Sequence, residues 1–210
     1  MNKILKIFLF LILVITSNII SQNKSLAFKN QAILLMKGGR YGEAVDLLNK
    51  YIAANPREAD GYHNRGLCYE QKINYENAVL DLKRARTLDP ANISIKNDLD
   101  RVIGIWHREL YQKIDGHKRD IAIDPKHAFS YLEIGKCYRW LEDWSNAEIW
   151  YDEYLNRDDN PSPDEIIRYT EILAKTGSII KGERILKICC PLSRRLAFVE
   201  PLRIFHLLAW

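Results

Sequence analysis

The chain is poor in net charge, in cysteine and in long apolar runs, and each shortage removes a class of function. Its 31 lysines and arginines face 27 acids. Two of those lysines, Lys3 and Lys6, sit in an N-terminal leader, so the remainder carries 29 basic against 27 acidic side chains. Nucleic-acid binders draw on a basic stripe that releases counterions from phosphates, and a near-neutral body offers none. The four cysteines, Cys68, Cys137, Cys189 and Cys190, lack the density and spacing of a disulfide framework. Adjacent Cys189 and Cys190 do not make the two spaced ligand pairs of a structural zinc site. Cys68 and Cys137 each precede a tyrosine on an apolar helix face and read as buried thiols.

Catalytic and cofactor motifs are missing as well. The histidines are His63, His107, His117, His127 and His206, and none forms the H-E-x-x-H pair that sets two zinc ligands on one helix face. Neither G-x-S-x-G nor G-x-x-x-x-G-K-[ST] occurs, which removes a nucleophile elbow and a phosphate loop. Gly38, Gly39 and Gly42 cluster in a turn between two helices, with no strand before them. "RDDNPSPDE", from Arg157, lacks the alternating ligands and turn glycine of a calcium loop. The expectation is a non-enzyme with no cofactor and no metal.

What is present begins with the leader. Lys3 and Lys6 precede an unbroken apolar run from Ile7 to Ile15, and small polar residues follow around Ser17 and Ser21. That order is a secretory signal peptide over residues 1–21, with Gln22 the first mature residue and a periplasmic or secreted destination. The run falls short of the roughly 18 residues of a membrane span, so an uncleaved anchor is the weaker alternative. No cysteine follows it for a lipid anchor.

The body is periodic. Ala44 and Ala78 lie 34 apart, and 69 residues separate Ala78 from Ala147, Tyr62 from Tyr131, Gly66 from Gly135 and Tyr69 from Tyr138. Pro56, Pro90 and Pro125 follow spacings of 34 and 35. The pattern resembles the tetratricopeptide repeat, a helix-turn-helix unit of about 34 residues with W-x2-L-G-x2-Y, then A-x3-F, then P. The second unit is similar through Tyr62, Arg65, Gly66, Tyr69, Ala78, Leu82 and Pro90. The fourth shows Tyr131, Ile134, Gly135, Tyr138, Ala147 and Tyr151, with Asp159 in place of proline. Phe28, Ala32, Leu35, Ala44, Leu48 and Pro56 mark the first; Ile166, Tyr169, Leu173, Gly182 and Leu186 mark a weaker fifth. The third keeps the length without the signature, and Trp106, Leu110, Ile114, His117 and Ile121 lie along one helical face, which predicts a degenerate helix pair.

The resemblance implies an all-α fold, an α-solenoid of about five stacked antiparallel helix pairs. Residues 22–187 form the array, in units near 25–58, 59–92, 93–126, 127–161 and 162–187. Small residues let the two helices of a pair approach, so Gly66 should touch the helix at Ala78. Pro90 lacks an amide hydrogen and must end the helix before it. "SPDE", Ser162 to Glu165, has a capping hydroxyl, a first-turn proline and an acid three residues on, and predicts a helix opening near Pro163.

Such arrays bind protein or peptide ligands on the face lined by their first helices. Helical geometry puts His63, Leu67 and Gln71 of the second unit there, with Lys136, Arg139 and Trp140 of the fourth. Arginine and tryptophan commonly dominate interface energies, which singles out Trp140. Some members clamp an acidic chain end with basic and amide side chains; Lys29 and Asn64 are in place here, but Ile33 stands where an amide belongs, so the clamp is not carried over. The implied function is a non-catalytic scaffold of the cell envelope, with membrane association only through the leader or an envelope partner. Two alternatives stay open: the N-terminal domain of a larger outer-membrane or envelope protein, and a regulatory domain of a glycan or peptide enzyme. The sequence assigns no oligomeric state. Residues 188–210, within "ICCPLSRRLAFVEPLRIFHLLAW", are apolar where a polar cap is needed. They read as the product of a single-base slip that truncates a longer array, or as a segment that docks on another protein or a membrane surface.

Overall fold

The structure is a computed structural model that describes residues 3–189. The described residues are helical throughout, with no strand. In chain order the helices are α1 (Lys3–Lys37), α2 (Tyr41–Ala54), α3 (Ala59–Gln71), α4 (Tyr75–Leu88), α5 (Ile93–Ile123), α6 (Ala128–Trp140), α7 (Trp144–Leu155), α8 (Pro163–Thr176) and α9 (Ile179–Cys189). Four antiparallel pairs result: α1 with α2, α3 with α4, α6 with α7, and α8 with α9. The fold is thus the all-α, stacked-pair class that the repeat implies. It divides into two compact units, one ending at Trp106 and one beginning at His107. The tail from Cys190 on, with His206, lies outside the described residues. α1 runs without a break across Ser21 and Gln22, where the leader is expected to end.

In the first unit α2 packs on α3, so the second pair stacks on the first. Ala32, Ala44, Val45, Leu48 and Cys68 make a buried cluster. The small-residue contact falls where the sequence puts it: a Cβ on Gly66 would lie 2.9 Å from Leu82 Cγ and 3.2 Å from the carbonyl oxygen of Ala78. Helix α4 stops at Leu88, ahead of Pro90, as the missing amide requires.

In the second unit α7 packs on α8, and Tyr131, Leu132, Ala147, Tyr151, Tyr154, Tyr169, Ile172 and Leu173 form the core. The rings of Tyr151 and Tyr169 stack in parallel at 5.7 Å. Helix α8 opens as "SPDE" predicts: Ser162 is the N-cap, its Oγ accepts from the Glu165 amide at 3.3 Å, and Pro163 occupies the first turn.

The third unit corrects an expectation. It is one continuous helix, α5, and not a degenerate pair. In the four pairs the turn between helices carries a residue at positive φ: Gly39, Ile73, Glu142 and Gly177. The repeat spacing puts Arg108 at that position of the third unit, and Lys113 where the pairs have Ala44, Ala78, Ala147 and Gly182. Arg101 replaces Gly66 and Gly135. Without a small-to-small contact, a hairpin has nothing to close on, and the helix propagates. Its predicted apolar face is real: Trp106, Leu110 and Ile114 are buried, and His117 and Ile121 are half-buried.

Candidate functional site

The faces of the first helices are built differently from the bare contact surface that helical geometry implies. In the first unit Lys29 Nζ on α1 donates to Asp60 Oδ2 on α3 at 2.9 Å and lies over the Tyr51 ring at 5.5 Å. Its hydrogen bond to Asp60 raises the lysine pKa against the opposing effect of burial. Asn64 Nδ2 donates to the Asp60 carbonyl at 2.7 Å. Both residues of the incomplete clamp are therefore engaged within the chain.

A second set of bonds ties α3 to the first half of α5. His63 Nε2 lies 2.9 Å from Asp98 Oδ2, and Arg101 donates to Asp98 Oδ1 at 2.8 Å. Arg101 also grips Glu70, a buried acid, through both carboxylate oxygens. Burial pushes the Asp98 carboxyl up, but the bonds from Arg101 and His63 outweigh it and hold the group below the usual carboxylate range. His63 is thus a strut between helices as well as a surface residue. Leu67 is half-buried and Gln71 is exposed at the end of α3.

In the second unit the same kind of link joins α6 to α8. Lys136 Nζ lies 3.0 Å from Glu133 and 3.1 Å from Glu165, and Arg168 reaches Glu165 at 3.3 Å. Glu165 is buried, so its paired lysine offsets a desolvation cost that a lone carboxylate could not meet. Arg139 lies over the Trp140 ring with its guanidinium carbon 4.7 Å from the centroid. Its Nη1 is 3.6 Å from Glu171, and its buried Nε has no hydrogen-bond partner. Trp140 itself is half-buried.

The six predicted residues lie on α3 and α6, His63, Leu67 and Gln71 in the first unit and Lys136, Arg139 and Trp140 in the second. Sequence reasoning missed the acids that hold the cations: Asp98, Glu70, Glu165 and Glu171. Three of these lie on the next first helix along the chain, where a pattern read within one helix gives no signal. It also passed over Phe129 and Ile167, exposed at 55% and 57%. These were findable, since Phe129 lies seven residues, two turns, before Lys136 on the same face. Cys68 and Cys137 are free and buried as expected, and burial pushes each thiol up to about 11.

Comparison with known proteins places this architecture. The family model described as tetratricopeptide repeat matches residues 29–93. A DnaJ homolog subfamily C member 7 homolog from Dictyostelium discoideum is 29% identical over 118 residues, 54% of this chain and 20% of that protein. Tetratricopeptide repeat protein 16 of Mus musculus is 30% identical over 131 residues, 59% of this chain and 17% of the relative. The chain thus spans a fifth or less of the length of these relatives. Among solved structures, MamA residues 41-end from Desulfovibrio magneticus RS-1 is 13% identical, with a TM-score of 0.39 over 82% of this chain and 96% of that one. The 34-residue period, the paired helices and the family match fall together on residues 29–93, and that stretch carries tetratricopeptide repeats.

Proposed function

We propose that the protein is an exported, non-catalytic scaffold that binds a protein or peptide segment on its first-helix faces. The observation that carries this reading is the state of those faces. Their helices are braced against one another by ion pairs and hydrogen bonds, while Gln71, Phe129 and Ile167 stay open to solvent. A rigid, pre-organised surface spends less binding energy on ordering itself when a flexible partner docks. His63, Leu67 and Gln71 would contact a partner in the first unit, and Lys136, Arg139 and Trp140 in the second. The leader supports export to the periplasm or beyond.

Photo-crosslinking tests the surface. A crosslinking amino acid placed singly at Leu67, Gln71 or Trp140 should capture partners in cells, and one at the exposed Leu80 or Thr87 on a second helix should not. Equal capture from both sets would refute the assignment. Mass spectrometry of the protein recovered from the cell envelope tests export, with a mature chain starting at Gln22 expected and an intact N-terminus in the cytoplasm contradicting it.

A further inference from the structure

The chemistry of the second unit's face narrows the kind of partner it fits, on the premise that the face binds a chain segment at all. Three cations stand in its middle, Lys136, Arg139 and Arg168, and three acids answer them, Glu133, Glu165 and Glu171. Lys136 is shared between two carboxylates, Arg168 is held by one of the same two, and Arg139 lies between Glu171 and the Trp140 ring. An incoming carboxylate would have to displace an acid already seated on its own helix framework, so the face gives an acidic segment no net attraction. The remaining charges sit at helix ends. Lys175 is in the last turn of α8 and Asp164 in the first, where each complements the helix dipole.

What stays open on this face is apolar. Phe129, in the first turn of α6, is 55% exposed, and Ile167 in the first half of α8 is 57% exposed. The Phe129 ring is not loose. It has the imidazoles of His117 and His127 at 6.0 Å each, and His127 is fixed by a 2.8 Å bond between its Nδ1 and the Oγ of Ser130, which is fully buried. Large apolar side chains held on a rigid framework, beside charges that already cancel, form a surface complementary to a neutral apolar segment.

We propose that the first-helix face of the second unit takes an uncharged peptide segment anchored by aliphatic or aromatic side chains on Phe129 and Ile167, and does not select acidic chain ends. This rests on the scaffold reading above and specifies its ligand class. The test is selection of a phage-displayed random peptide library on the full chain, followed by fluorescence anisotropy of the enriched peptides. The expected peptides carry Leu, Ile, Phe or Trp without net negative charge. They keep their affinity in about 1 M salt, where the screening length is roughly 3 Å. Phe129→Ala and Ile167→Ala should each weaken them about tenfold, while Lys175→Ala, at an exposed position in the last turn of α8, changes affinity by less than about threefold. Both apolar substitutions are at exposed positions, and unchanged circular dichroism would show that the fold is kept.

Enriched peptides that are acidic and released by salt would overturn the ligand class and leave the scaffold standing. So would neutral peptides indifferent to both apolar substitutions. A library that yields no peptide above the bare support would overturn the scaffold reading, and the ligand class with it.

Discussion

The α3–α4 and α6–α7 pairs occupy matching places in the repeat, 69 residues apart, yet they are fastened by opposite means. In the first, Arg65 on α3 donates two bonds of 2.7 Å to Asp81 on α4, and a third of 2.7 Å to Asn49 on α2. Asp81 is buried, and the arginine guanidinium also lies near the Tyr62 and Tyr69 rings. The residues 69 further on are Ile134 and Trp150. Ile134 is fully buried, and Trp150 packs against Tyr131 with ring centroids 5.8 Å apart. The repeat specifies a distance between helices and leaves the chemistry of the fastening free.

The largest effect should come from breaking the polar version. Arg65→Leu leaves the Asp81 carboxylate buried without its partner and should cost about 3 kcal/mol. The double change Arg65→Leu with Asp81→Leu imitates the apolar pair and should restore most of that loss, because two well-packed apolar groups replace an ion pair at little net cost. Urea unfolding of the two variants beside the parent measures both. A double variant as weak as the single one would mean that the bidentate pair itself, and not the stranded charge, carries the stability.

Next in size is the glycine contact that both pairs share. A Cβ on Gly135 would lie 2.6 Å from Tyr151 Cδ2, and that ring is fully buried and stacked on Tyr169, so it has nowhere to go. Gly135→Ala should cost about 2 kcal/mol through overpacking. At Gly66 the nearest atom is Leu82 Cγ at 2.9 Å, and a leucine side chain yields more readily than a stacked ring, so Gly66→Ala should cost less. Gly104 in α5 is the control: nothing lies within 4 Å of its would-be Cβ, and Gly104→Ala should stabilise by about 1 kcal/mol through helix propensity. Thermal unfolding of the three should therefore show two losses of unequal size and one gain.

These contrasts also show how far the sequence could be read. The pair contacts were legible because a close helix crossing tolerates only small residues, and Gly66, Ala78, Gly135 and Ala147 recur at the repeat spacing. The α8 opening was legible because capping is local, and Ser162, Pro163 and Glu165 lie within one turn. The continuous α5 was misread because length and an apolar stripe are the same for one helix as for two. The information that decides it is the want of a small residue at Arg101 and at Lys113, and absences are visible only by comparison with the other units. The site was half legible: helical geometry put His63, Lys136 and Arg139 on the first helices, but Asp98, Glu165 and Glu171, which hold them, come from neighbouring helices.

The smallest effect tests that account of α5. Ile73 and Glu142 both hold φ at 58°, a conformation that costs a residue with a Cβ roughly 1–2 kcal/mol. Ile73 is 69% exposed, so removing its side chain forfeits little burial. Glycine removes the steric cost but loses more backbone entropy on folding, about 0.5–1 kcal/mol, so Ile73→Gly should gain about 0.5–1 kcal/mol net. At Arg108, the matching position of the third unit, the backbone is helical and the same exchange should lose about 1 kcal/mol. The sign is the discriminating quantity. A gain at Arg108 would mean that this segment turns in solution as Ile73 does, and the third unit would then be a helix pair after all.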